Sequence, residues 1–76
     1  MFDAYVKFLG VSTGESARGK FYNFSFMVDG ETMQIRCSEE VAMKAGRLNF
    51  GDEVSVKLEL RNYRGDWYPR INDLEV

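Results

Sequence analysis

The chain has 76 residues, of which 45% are apolar, and its formal net charge is −2 at neutral pH. This length provides one thin core, so residues 1–76 are expected to form a single small domain. The slightly acidic balance argues against a generic polyanion binder, because neutralising phosphates requires Lys and Arg.

Two strands are predicted at the start of the chain. The segment Phe2–Val11 is rich in β-branched and aromatic residues, and Gly10 is a candidate bend within it. A polar loop is expected over residues 12–19, followed by a second strand at Lys20–Val28. One face of that strand carries Tyr22, Phe24, Phe26 and Val28, and the other carries Phe21, Asn23, Ser25 and Met27.

A hairpin and a short helix follow. Asp29-Gly30 is the strongest turn signal in the sequence, because both residues tolerate the positive φ of a type I′ turn. It leads into a third strand at Glu31–Cys37, with Met33 expected in the core. Ser38 then predicts the N-cap of a helix that stops near Gly46.

The last two strands form a second hairpin. Apolar and polar residues alternate through a fourth strand that reaches Arg61, and Val56 is expected in the core. Residues 62–66 turn the chain, and Trp67–Val76 forms the fifth strand. Pro69 lies inside this strand and cannot donate to a ladder, so it predicts an edge position or a bulge.

This order of elements predicts an all-β, five-stranded OB-type barrel, closed or partly open, with one short helix between strands 3 and 4. OB barrels bind their ligands on strands 2 and 3, between the loop that joins strands 1 and 2 and the loop that joins strands 4 and 5. In this chain, those two loops and the residues beside them hold five of the ten Lys and Arg residues and many of the aromatic rings.

Basic and aromatic side chains together are typical of a surface for unpaired nucleic acid. Lys and Arg neutralise phosphates, and each ring that stacks on a base contributes about 1–3 kcal/mol without regard to sequence. The candidate binding residues are Arg18, Lys20, Tyr22, Phe24, Arg36, Arg61, Tyr63, Arg64, Trp67 and Arg70.

Several of these candidates also have a structural interpretation. Tyr22, Phe24 and Phe26 could instead form the inward face of strand 2, Trp67 could close the end of the barrel, and Arg64 could simply be solvated. Tyr63 lies in a polar hairpin tip, so it is expected to be exposed. Arg36 is a secondary candidate on the strand that the ligand would cross.

Side chains for catalysis are scarce. The chain has no His, which is the commonest general base and metal ligand, and Cys37 is its only cysteine. One cysteine forms no intrachain disulfide, and Cys37 is expected in the core. We therefore expect a cytoplasmic protein that is not an enzyme and that carries no metal or cofactor.

The segments Ser16-Ala-Arg-Gly-Lys-Phe-Tyr22, Gly51-Asp-Glu-Val-Ser-Val and Ile71-Asn-Asp-Leu-Glu-Val76, with Arg64-Gly65 between the last two, resemble a known family. They are similar to the gene V type of small single-stranded-DNA-binding protein from filamentous phages, over residues 15–76. Small OB proteins of other phages, plasmids and conjugative elements resemble the chain about as well. The resemblance implies an OB barrel, a dimer or higher oligomer, and sequence-independent coating of single strands.

By the same resemblance, Tyr22 matches a base-stacking tyrosine, Lys20 belongs to the basic turn before it, and Phe24 matches an apolar residue at the DNA. Tyr63 or Arg64 matches the aromatic tip of a hairpin. The chain departs from the family at its last strand, where Asp73 and Glu75 replace arginines.

The leading hypothesis is thus a single-stranded-DNA-binding protein that serves replication, recombination or transfer of phage or mobile-element DNA, with RNA as a variant. The alternatives are an OB or SH3-like protein-interaction module and a subunit of a larger complex.

Overall fold

The computed structural model describes residues 2–75. Five strands close into a barrel in the order β1-β2-β3-β5-β4, and a short helix lies between β3 and β4, which confirms the predicted fold. Neighbouring strands are antiparallel except β3 and β5, which run parallel. The elements are β1 (Phe2–Ser16), β2 (Gly19–Val28), β3 (Glu31–Cys37), α1 (Glu39–Ala45), β4 (Glu53–Tyr63) and β5 (Asp66–Glu75).

Strand β1 is long and serves two neighbours. Its first part pairs with β4 and its second part pairs with β2, with a register shift between Phe8 and Gly10. The predicted bend at Gly10 is therefore confirmed. The predicted loop over residues 12–19 is wrong, because β1 continues to Ser16 and pairs there with Gly19. The polar residues of this segment belong to a two-stranded ribbon with largely exposed side chains, so their polarity did not mark a loop.

The core is built from side chains that alternate along the strands and point into the barrel. Phe24 has no solvent exposure, and its ring centroid lies 5.2 Å from that of Phe8 and 6.0 Å from that of Phe26. Cys37 is buried as predicted, and burial raises the pKa of its thiol despite the nearby Arg70. The other buried side chains are Val6, Ile35, Val41, Ala45, Val54, Val56, Ile71 and Leu74.

Met33 is not the core residue that the sequence predicted, because 46% of its surface is exposed. Within residues 2–75, β3 pairs with β5 only at Arg36 and Cys37. The first part of β3 therefore lacks a neighbour on that side, and Met33 stands at an open stretch of the barrel wall although it is paired with buried Phe26.

Helix α1 begins and packs as its sequence predicts. The Ser38 Oγ accepts a hydrogen bond from the backbone N–H of Val41 at 3.2 Å, and Val41 and Ala45 are buried against the barrel. Lys44 Nζ donates to Asp73 Oδ1 on β5 at 2.9 Å. Asp73 thus forms an ion pair between helix and barrel.

The ion pair perturbs both of its groups. The hydrogen bond from Lys44, followed by one from the backbone N–H of Leu74, lowers the pKa of Asp73, and the same Asp73 contact raises the pKa of Lys44. Stability that comes from the lowered carboxyl pKa is present near neutral pH and is lost as the pH falls through that pKa. Stability that comes from Lys44 is lost as the pH rises through its raised pKa.

No helix among residues 2–75 has the length and apolarity that a membrane crossing would need.

Candidate nucleic-acid interface

The tips of two hairpins meet on one side of the barrel. Arg18, between β1 and β2, donates from its guanidinium to the Tyr63 hydroxyl at 3.2 Å, and Tyr63 ends β4. The Arg18 and Arg64 Cζ atoms lie 5.7 and 5.3 Å from the centroid of the Tyr63 ring. We call Arg18, Tyr63 and Arg64 the tip cluster. The structure thus brings together residues that are 45 positions apart in the chain.

A tight turn presents the tip cluster. Arg64 and Gly65 have φ values of 53° and 87°, and positive φ at both central residues is what a type I′ turn requires. The side chain of Asn62 accepts a hydrogen bond from the backbone N–H of Gly65 at 3.4 Å. An arginine at positive φ is uncommon, so the turn holds a cation at its apex against the local preference of the backbone.

A second set of candidate side chains crosses the outer face of the barrel. The strand registers place Arg36 of β3 between Asn23 of β2 and Arg70 of β5. Side chains alternate between the two faces of a strand, so residues two positions apart continue the same face. We call five residues of this face, Phe21, Arg36, Arg70, Tyr68 and Arg61, the outer strip; Glu59, the register partner of Arg70, lies on the same face.

The centre of the outer strip is an arginine over an aromatic ring. Arg36 Cζ lies 3.6 Å from the centroid of the Phe21 ring, which is contact distance for a cation–π pair. The far end of the same ring lies over Gly14 of β1: a Cβ atom at Gly14 would come within 2.4 Å of Phe21 Cζ. A recess of about 290 Å³ beside this pair is lined by Lys20, Phe21, Tyr22, Arg36, Cys37, Ser38, Glu39 and Arg70.

Two predicted binding residues point away from solvent. Phe24 is wholly buried and packs between other core rings, so its prediction as a contact is wrong. Tyr22 is half-buried and packs against the core, because it shares the inward face of β2 with Phe24. It nevertheless is among the residues that line the recess.

The other aromatic candidates are exposed. Tyr63 has 46% of its surface exposed, as predicted for a hairpin tip, and Trp67 has 64%, so it does not close the barrel. Trp67 pairs with Asn62 and Tyr68 with Arg61, which places the two neighbouring rings on opposite faces of the β4–β5 hairpin. Arg61 Nε also lies 3.4 Å from a carboxylate oxygen of Glu59, an exposed pair of little energetic weight.

Sequence reasoning did not select Phe21 and Tyr68, which the structure places on the outer strip. The alternation along β2 separated Phe21 from the core rings, but its contact with Arg36 depends on the register of β2 against β3. That register follows from the Asp29-Gly30 turn, which pairs Val28 with Glu31 and hence Asn23 with Arg36. Counting outward from the turn would have placed Phe21 beside Arg36.

Comparisons with known proteins show weak similarity to a solved structure. No family model matches the sequence, and no curated protein matches it. Among solved structures, the small single-stranded DNA-binding protein from Streptomyces coelicolor is similar, with 19% identity and a TM-score of 0.47 over 99% of this chain and 88% of that chain. Nothing about function transfers at this level of similarity, and the resemblance to filamentous-phage proteins stays a prediction.

Proposed function

We propose that this chain is a non-enzymatic protein that binds single-stranded DNA with little sequence preference. The observation that carries the proposal is the pairing of exposed or half-exposed aromatic rings with arginines along one surface, in the tip cluster and in the outer strip. Unpaired bases need flat partners and phosphates need cations, and this surface offers both within a few ångströms.

Local charge supports this reading despite the net charge of −2. Arg18, Lys20, Arg36, Arg64 and Arg70 belong to the tip cluster, the outer strip or the recess beside it. Among the described residues, that recess is lined by a single carboxylate, Glu39, and Glu59 lies beside Arg61 and Arg70. Salt screens exposed charges beyond about 8–10 Å, so the acidic residues elsewhere on the molecule weaken phosphate contacts without cancelling them.

The biological setting is part of the proposal. On the resemblance to filamentous-phage and mobile-element proteins, the chain serves replication, recombination or transfer of such DNA and works as a homodimer or higher oligomer. The free cysteine, buried with its pKa raised, is compatible with the reducing cytoplasm. RNA is a variant ligand, because stacking and phosphate contacts do not by themselves distinguish the two.

Trp67 is the single tryptophan and lies exposed on the β4–β5 hairpin, on the face opposite to Tyr68, so its fluorescence reports a strand that reaches this hairpin. Titration with an oligo-dT of about 20 nucleotides, on the order of one to a few OB sites, should quench its fluorescence at low salt. The affinity should fall as salt rises, and a duplex of the same length should bind more weakly. An oligo-dT that leaves the spectrum unchanged and also shows no binding by fluorescence anisotropy of a labelled oligomer at low salt would contradict the proposal.

A pair of tyrosine variants tests where the strand binds. Tyr63→Ala should weaken binding to oligo-dT by about 5- to 150-fold, the equivalent of one stacked base. Tyr5→Ala is the matched control, because Tyr5 is also an exposed strand tyrosine but lies on β1 opposite Ser55, outside the interface. Equal losses from both variants would mean that the tip cluster is not the binding surface.

A protein partner is the second candidate, and a specific observation favours it. Leu60, Trp67 and Pro69 share the face of the β4–β5 hairpin opposite to Tyr68, and all three are exposed. This face is apolar, as protein contacts often are. Trp67→Ser should then abolish capture of a partner from nuclease-treated lysate while Tyr68→Ser leaves it intact. Capture that disappears altogether on nuclease treatment would favour nucleic acid alone.

A further inference from the structure

Resting on the proposed function, we infer that Arg36 is a base-stacking platform: an unpaired nucleobase stacks on its guanidinium group, and the Phe21 ring serves to hold that group in place. The aromatic residue of the outer strip is then a positioning residue, and the arginine above it makes the contact with the base.

The packing of Phe21 leads to this assignment. Its ring end lies against Gly14 on the neighbouring strand, where even one methyl group would collide with it. A ring that lies down on a sheet in this way turns only one face to solvent. The Arg36 guanidinium is centred 3.6 Å from that ring, so the face that a base would use is already covered.

The guanidinium is itself a suitable surface for a base. It is planar and delocalised, and arginine planes stack on unpaired bases as aromatic rings do. Arg36 is exposed while Phe21 is half-buried, so the guanidinium is the outermost layer of the stack. Holding a long side chain in its bound position before the ligand arrives lowers the entropy cost of binding.

The residues around Arg36 complete a site for one nucleotide. Lys20 and Arg70 line the recess beside the stack and place positive charge where the phosphates of a stacked nucleotide would pass. Arg70 is the register partner of Arg36 on β5, so the two cations stand side by side on one face. Arg36 thus supplies the planar surface for a base, and Lys20 and Arg70 supply the positive charge for phosphates.

The planar shape of the Arg36 guanidinium and its positive charge can be tested separately. Arg36→Lys keeps the charge and loses the plane. Its affinity for oligo-dT should fall about fivefold or more, the equivalent of one lost base stack. Its affinity for an abasic oligomer of the same length should stay within about twofold of wild type, and the salt dependence of binding should not change, because the number of phosphate contacts is kept. Arg47→Lys, at an exposed arginine after α1, is the matched control and should change neither.

A second variant displaces the Phe21 ring that supports Arg36 and leaves Arg36 itself unchanged. Gly14→Ala pushes the Phe21 ring off β1, so the guanidinium loses its fixed position, and the same selective loss on oligo-dT is expected. Thermal unfolding of each variant confirms that the barrel is retained. The stacking role of Arg36 is overturned if the Arg36→Lys protein binds oligo-dT like wild type, or if its affinity for the abasic oligomer falls by the same factor as its affinity for oligo-dT. Either result leaves the proposed function standing. A wild-type protein that binds neither oligomer overturns both.

Discussion

The two tight hairpins of the barrel have the same backbone geometry and opposite surface chemistry. Asp29 and Gly30 turn β2 into β3 with φ values of 51° and 78°, and Arg64 and Gly65 turn β4 into β5 with 53° and 87°. The first turn carries an acid at its apex and is followed by Glu31. The second carries a cation, and is flanked by Tyr63 and, beyond Asp66, by Trp67. Turn geometry therefore positions a site without determining what the site binds.

The difference between the two hairpins lies in how far each extends from the core. Val28 beside the first turn packs against core residues, so this turn closes a strand pair directly on the barrel. From Leu60 through Pro69, the second hairpin has only exposed side chains. A two-stranded ribbon that extends beyond the core exposes both of its faces to solvent. In the β4–β5 hairpin, these faces carry aromatic rings and arginines.

The largest effect, on stability, is expected in the core of the barrel from which both hairpins extend. Phe24→Ala removes a wholly buried ring and should cost about 3–5 kcal/mol of the free energy of unfolding, a large part of the stability of so small a domain. Thermal unfolding followed by circular dichroism measures it. Phe50→Ala, at an exposed phenylalanine, is the control and should leave the midpoint nearly unchanged. A Phe24→Ala protein with wild-type stability and weakened DNA binding would restore Phe24 as a contact residue.

Substitution of the two turn glycines should have the next largest effect on stability, and it tests whether the two hairpins differ in their role in binding. Both have positive φ and open space where a Cβ atom would lie, so Gly30→Ala and Gly65→Ala introduce backbone strain without a clash. Each should cost about 1–2 kcal/mol in stability. Only Gly65→Ala should also weaken binding to oligo-dT, since it shifts the arginine and tyrosine beside it. Comparable losses of affinity from the two variants would show that binding follows overall stability.

Regular alternation and turn chemistry were enough to predict the fold. The bounds of β3, the Ser38 cap and the order of elements along the chain follow from local patterns that agree with the tertiary structure. Pro69 pairs with Leu60 where β5 has no β3 partner among the described pairs, which is the predicted edge position.

The site was harder to predict, for two physical reasons. Tyr22 and Phe24 were predicted as contacts from their position after the first loop and from the resemblance, whereas the period of β2 turns both toward the core. Phe21 was left out because its role arises from Gly14 and Arg36, which are distant in sequence and meet it only through strand register. Residue type alone indicates a nucleic-acid surface, but the assignment of individual rings depends on non-local pairing.

The smallest effect concerns one charge at the apex of each turn. Asn tolerates positive φ, so Arg64→Asn and Asp29→Asn should both fold and keep their stability. Arg64→Asn should weaken binding to oligo-dT and make the slope of log affinity against log salt shallower by about 1, as expected for one lost phosphate contact. Asp29→Asn should leave that slope unchanged, because its turn lies outside the interface. If removing the acid strengthens binding as much as removing the cation weakens it, the strand responds to the overall charge of the molecule and not to the tip cluster.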